Sequence, residues 1–122
     1  MSSARYDLKG THSIEAGSSW SLLLRYLTAP DINGDRASAI PAGWAAVAQF
    51  RAHANQATPS LELTPAADSD TGEILLEMTP AQTRALPTVG VWGVEIRNQP
   101  TDETDSALLV SGGFNTSPEV VR

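Results

Sequence analysis

The sequence contains no cysteine. Disulfides, thiolate metal sites and a cysteine nucleophile are excluded together, and the chain suits synthesis in a reducing compartment. It also lacks a long apolar run. The longest is only a few residues, against the ~20 that a membrane-spanning helix needs, so no membrane partner is expected. Its first ten residues, MSSARYDLKG, hold no apolar stretch of the secretory kind. Basic residues are scarce: eight Lys and Arg stand against fourteen Asp and Glu, a net charge of −6. Proteins that hold a nucleic-acid backbone usually carry the opposite sign, because affinity comes from neutralised phosphates and released counterions. No nucleic-acid partner is therefore expected.

Histidine is nearly absent. His12 and His53 are the only two, and neither sits in a spacing that puts two rings on one helical face. Both read as surface or turn residues. The phosphate-loop and dinucleotide fingerprints are missing, as is a G-x-S-x-G elbow. Ser111 in SGG has no triad partner to propose, and its glycines suggest a bulge or a close backbone approach. Two acidic turns invite a calcium test: DINGD from Asp31 to Asp35, and DSDTGE from Asp68 to Glu73. A helix-loop-helix calcium loop needs a bidentate Glu at its twelfth position, where these loops hold Ala42 and Thr79. Side chains that cap turn backbone explain both stretches without an ion. No enzyme activity, cofactor or metal is expected. NTS at Asn115 is formally a glycosylation sequon, meaningful only in a secreted protein. Trp20, Trp44 and Trp92 could form a sugar-stacking platform. Each lies on a strand otherwise lined by apolar residues, which favours core packing.

The chain does have the material for one packed domain: 122 residues, 41% of them hydrophobic. A short first strand is expected to close over Thr11 to Ile14. In SSWSLLLRYL, Trp20, Leu22, Leu24 and Tyr26 share one face, opposite Ser19, Ser21, Leu23 and Arg25. Ala29 to Gly43 is rich in Pro, Gly, Asp and Asn and reads as a long connection. GWAAVAQFRA puts Trp44, Ala46, Ala48 and Phe50 on one face. An alanine-rich helix is the alternative there, and the flanking Pro41 and Gly43 favour the strand. PSLELT gives Leu61 and Leu63. GEILLEMT points Ile74, Leu76 and Met78 inward. Thr79 then fits an N-cap, Pro80 the first helical position and Gln82 a capping box, so a short helix near 80–86 is predicted. Pro87 stops it. VGVWGVEIRN aligns Trp92, Val94 and Ile96; QPTDETDS is a polar turn; ALLVSGGF is the last clear strand, with Leu108 and Val110 opposed to Leu109. No fixed period recurs. Six or seven short strands with turns between them predict an all-β, antiparallel sandwich with one short helix. Trp20, Leu22, Leu24, Phe50, Leu76, Trp92, Val94 and Ile96 should form its core.

The order of these pieces is specific. IEAGSSWSLLLRY, AQFR, GEILLEMTPAQTRALP, GVWGVEIRN and LLVSGGFNTSPEVVR follow one another between Ile14 and Arg122. The order resembles a family of small tailed-phage and prophage proteins. In that family a strand leads into an (S/T)-x-x-x-T-x-A-L-P turn, then a G-V-Y/W strand, and the end reads G-x-V-x-V-S-P-E-V-T-R. The chain departs from the pattern in the long insertion around Asp31 to Pro41, and at Phe114-Asn115, where the family often has a valine pair. Such proteins are similar to the N-terminal immunoglobulin-like domain of siphophage upper-baseplate proteins. The resemblance implies a virion component made in the host bacterial cytoplasm: a tail, baseplate or neck adaptor that docks a fibre or neighbouring subunit, or a capsid decoration protein. It implies no catalysis. A carbohydrate-binding module that touches the host surface is the alternative, and exposed clustered aromatics would favour it.

Assembly follows from size. A small sandwich leaves strand edges to be covered, and identical copies usually close around a symmetry axis, so a homo-oligomer among other virion proteins is expected. Short arms are expected at both ends. Ser117, Pro118, Glu119, Val120, Val121 and Arg122 form the candidate partner-binding segment, because two valines at a free end gain by burial on a neighbour. A frayed tail or a last strand edge of the same domain is the competing reading.

Overall fold

Side chains alternating between apolar and polar build two β-sheets around one core. The computed structural model describes residues 4–98 and 106–118. The strands are β1 (Ala4–Arg5), β2 (Ile14–Glu15), β3 (Trp20–Arg25), β4 (Ala45–Arg51), β5 (Leu61–Leu63), β6 (Glu73–Met78), β7 (Val89–Arg97) and β8 (Ser106–Ser117). One helix, α1 (Pro80–Ala85), lies between β6 and β7. The larger sheet runs β1-β8-β7-β4-β5, with β2 also on β8; the smaller is β3-β6. The fold is therefore mainly β and sandwich-like, with one short helix. The expected QPTDETDS turn falls at 99–106, almost wholly outside the described residues.

Cross-strand register fixes the inner face of the large sheet. Phe50 lies opposite Trp92, Ala48 opposite Val94, and Ala46 opposite Ile96. All six are buried. The small sheet answers with Trp20, Leu22 and Leu24 from β3 and Ile74, Leu76 and Met78 from β6, packed into the same cluster. Phe50 joins the layers. Its ring meets Trp20 edge-on at 6.2 Å, stacks near Trp92 at 6.0 Å and meets Phe114 at 5.5 Å. Such aromatic pairs add about 0.5–1.5 kcal/mol beyond the area they bury. Residues 45–51 are strand, not helix, because Ala46, Ala48 and Phe50 have a two-residue period and two strand partners.

The helix carries the chain from the small sheet to the large one. Thr79 accepts from the Gln82 N–H at 3.2 Å, and Gln82 Oε1 accepts from the Thr79 N–H at 2.8 Å, a complete capping box. It ends at Ala85, and Leu86 is already extended because Pro87 follows. Thr83, the second threonine of TPAQTRALP, is fully buried. Its hydroxyl donates to the Ser18 carbonyl at 2.8 Å and accepts from the Gly17 N–H at 3.1 Å. That pins the helix to the turn entering β3.

Four expectations need correction. The sheets are not wholly antiparallel: β1 and β2 pair parallel with β8. Thr11 to Ile14 is not a strand. Gly10–His12 is a 3-10 turn, and β2 begins at Ile14. The turn takes up slack, since the N-terminal run advances from Leu8 to Ile14 while β8 advances only from Phe114 to Thr116. In β8, Leu108 and Val110 do not share a face. A bulge opposite Val94/Glu95 leaves Leu109 unpaired, so Leu108 turns out beside Glu95 and Val110 turns in beside Val94. The bulge thus sits before the glycines, not at them. Finally, the last strand does not stop at Phe114: β8 continues through Asn115–Ser117.

Candidate interaction surfaces

From Ala4 to Leu8 the described N-terminal segment runs along β8. Leu8 is 2% exposed, donates its N–H to the Gly113 carbonyl at 2.9 Å, and accepts from the Asn115 N–H. Tyr6 accepts from the Trp92 indole at 2.9 Å. Gly112 permits this approach: a β-carbon there would lie 2.1 Å from the Tyr6 carbonyl oxygen. Asp7 Oδ1 accepts from the Gly113 N–H at 2.9 Å. That bond, then Arg5 and Lys9, hold its carboxyl below the ordinary value of 3.8, against opposing desolvation.

At the other end, the structure places Ser117 opposite Glu15, where its carbonyl accepts from the Ala16 N–H at 3.1 Å. Pro118 is exposed. Glu119, Val120, Val121 and Arg122 lie outside the described residues. The structure therefore gives the first residue of the candidate segment a place in the domain's own sheet.

The acidic turns spend their carboxylates on backbone. Asp31 Oδ1 accepts from the N–H groups of Asn33 and Asp35 at 2.8 and 2.9 Å. Asp68 Oδ1 accepts from Asp70 at 2.9 Å and Thr71 at 3.3 Å. Gly72 closes the second turn at φ +77°, and a β-carbon there would press to 2.5 Å from the Tyr26 carbonyl oxygen. Among the described residues, no three His, Asp or Glu side chains gather as metal ligands would. His12 and His53 are both exposed. Trp92 is buried, while Trp20 and Trp44 are half-buried against the core.

Two surfaces remain. The outer face of the large sheet carries a shallow groove of about 500 Å³. Gly93 and Gly113 help form its floor, with Lys9, Arg51 and Leu108 around it. The chemistry of this groove is largely satisfied already. Arg51 donates to the Gln56 carbonyl and to Gln49 Oε1, and Arg5 pairs with Asp7 at 3.2 Å. Sequence reading missed the groove, although small residues at outward positions of neighbouring strands were its signal. The outer face of the small sheet is different. Leu23 and Leu75 lie opposite each other and are 49% and 44% exposed. Arg25 and Glu73 flank them as an ion pair at 3.3 Å. The alternation of β3 predicted an outward Leu23, and the structure adds its apolar partner.

Compared with known proteins, the chain matches no family model, and no curated protein matches it significantly.

Proposed function

We propose that the chain is a structural component of a tailed-phage virion, acting through protein–protein contacts as a tail, baseplate or neck adaptor. The observation that carries the reading is the corner TPAQTRALP between two strands. Its residues do the work that the resembling pattern would need: Thr79 caps, Thr83 is buried on the β3 turn, and Leu86-Pro87 ends the helix. The finer fold reading is immunoglobulin-like. Strand order supports it, since in this reading β8-β7-β4-β5 would correspond to a variable-type GFC sheet with one added strand, and β3-β6 to the facing B-E pair. In this reading the protein has no catalytic role, is made in the bacterial cytoplasm, and packs against copies of itself and other virion proteins.

The sugar-binding alternative required clustered exposed aromatics. Among the described residues only Tyr6 stands out among the exposed large hydrophobics as aromatic, at 37%, and it leans on His12 and Trp92. The test is a mass-spectrometric inventory of purified particles from cells carrying the gene. The protein should be present in stoichiometric copies; its absence from intact particles overturns the reading. Deleting residues 119–122 then probes the docking segment. The melt should be unchanged and incorporation lost, whereas normal incorporation rules out docking by that segment.

A further inference from the structure

The edges of the two sheets are guarded unequally. In the large sheet, β5 is three residues long, and the opposite edge is two short strands separated by a 3-10 turn. Short and interrupted edges of this kind resist pairing with other chains. The outer edge of β6 is partly taken by the segment before it: Ala67 bridges Ile74, and the Asp68 N–H donates to the Glu73 carbonyl. The outer edge of β3 has no neighbouring strand among the described residues. Its six residues, WSLLLR, contain no proline and no bulge.

Hydrogen-bond phase shows which groups it offers. The Tyr26 N–H donates to the Gly72 carbonyl, while the Tyr26 carbonyl accepts from the Ala39 N–H, so Leu24 and Leu22, in phase with that N–H, direct their backbone groups toward β6. Ser21, Leu23 and Arg25 direct theirs to the open edge, and all three residues are exposed. We infer that β3 pairs antiparallel with β3 of a second copy, around a two-fold axis at Leu23.

Charge complementarity selects that occupant and that register. With Leu23 opposite Leu23 of the second copy, Ser21 faces Arg25 and no like charges oppose each other, an arrangement that avoids a known penalty. The outer face then reads Leu75, Leu23, Leu23, Leu75 across four strands, a continuous apolar row. Above and below it each Arg25 lies between its own Glu73 and, across the small Ser21, the Glu77 of the other copy. Glu77 has no ion-pair partner among the described residues of one protomer. A register with Arg25 opposite Arg25 would set two cations face to face. The isologous pairing is a closed two-fold, so it stops at the dimer. It stands apart from the virion reading, which survives if this edge pairs with nothing.

The experiment is sedimentation equilibrium on the whole chain and on Leu23→Lys, which sets like charges on the axis. Wild type should associate to twice its 12.9 kDa mass, and the variant should be a monomer that still unfolds in one cooperative step. Because the chain has no cysteine, Leu23→Cys supplies a second readout. It should oxidise to a covalent dimer, since Cα atoms about 5.5 Å apart in a hydrogen-bonded pair lie within disulfide reach. Ser21→Cys, which faces Arg25 instead, should not. A monomeric wild type, a Leu23→Lys variant that still dimerises, or equal crosslinking at 21 and 23 overturns the inference. Particle incorporation measured on the same Leu23→Lys variant keeps this outcome distinct from the virion reading.

Discussion

In the large sheet, β7 and β4 each have a strand on both sides, and the inner face holds Phe50, Trp92, Val94 and Ile96 almost without exposure. In the small sheet, β3 and β6 have only each other as full strand partners among the described residues, the inward residues of β3 are half-buried, and the outer face shows two leucines. One region concentrates the stabilising burial, and the other keeps apolar surface and backbone groups for use. If β3 pairs as proposed, stability and association reside in different layers of this molecule. A substitution can then strike one and spare the other.

The strongest test of that division is Phe50→Ala against Leu75→Ala. Phe50 touches rings from both layers, so its truncation should cost ~3–5 kcal/mol. Leu75 on the outer face should cost within ~0.5 kcal/mol in the isolated protomer. Urea unfolding measures both, and similar losses would erase the distinction. Gly112→Ala comes next. Its new methyl meets the Tyr6 carbonyl, and overpacking of this kind costs roughly 1–3 kcal/mol. Amide exchange should speed up at Leu8 and Asn115 while β3 and β6 keep their protection. Uniform loss of protection would mean that the N-terminal run and the core open together.

Thr83→Val sharpens the comparison at the corner between the layers. It keeps the shape but removes the partner of the Gly17 N–H and the donor to Ser18, at a cost of about 1–3 kcal/mol. Replacement by Ser should recover most of the loss; failure to do so would show that the methyl, not the hydroxyl, matters. The smallest effect concerns pH. Asp7 has a lowered folded-state pKa, so its contribution is present above the ordinary value of 3.8 and is lost as pH falls through the lower folded value. The indole N–H signal of Trp92, bonded to Tyr6, should report loosening of the N-terminal run in acid. Asp7→Asn should remove that acid step, and an unchanged step would assign it to another carboxylate.

Much of this architecture could be read from periodicity. The inward faces of β3, β4, β6 and β7 follow strict alternation, and the capping box announced α1 within a residue of its observed end. Leu8, Ile14 and Phe114 were missed because no alternation surrounds them. Leu8 and Ile14 come from a run interrupted by a 3-10 turn, and Phe114 follows two glycines. The face reversal at Leu109 has no local signature, because a bulge depends on the partner strand. The open edge of β3 was invisible for a similar reason: a sequence shows which face is apolar but not which edge lacks a neighbour.

The parallel seating of β1 and β2 on β8 also has a consequence for the order of events in time. Ala4 finds its partner at Val110 and Glu15 at Ser117, so contacts made by the first segment span nearly the whole chain. Contacts so distant in sequence slow folding, because a long loop must close before any reward arrives. During synthesis the first segment has nothing to pair with until β8 has been made. β3 to β7 can gather around Phe50 earlier, since their partners come sooner. Leu8 and Ile14 are then the last core residues to lock, and a ribosome stalled before Gly112 would hold a nascent sandwich whose beginning is still waiting for its end.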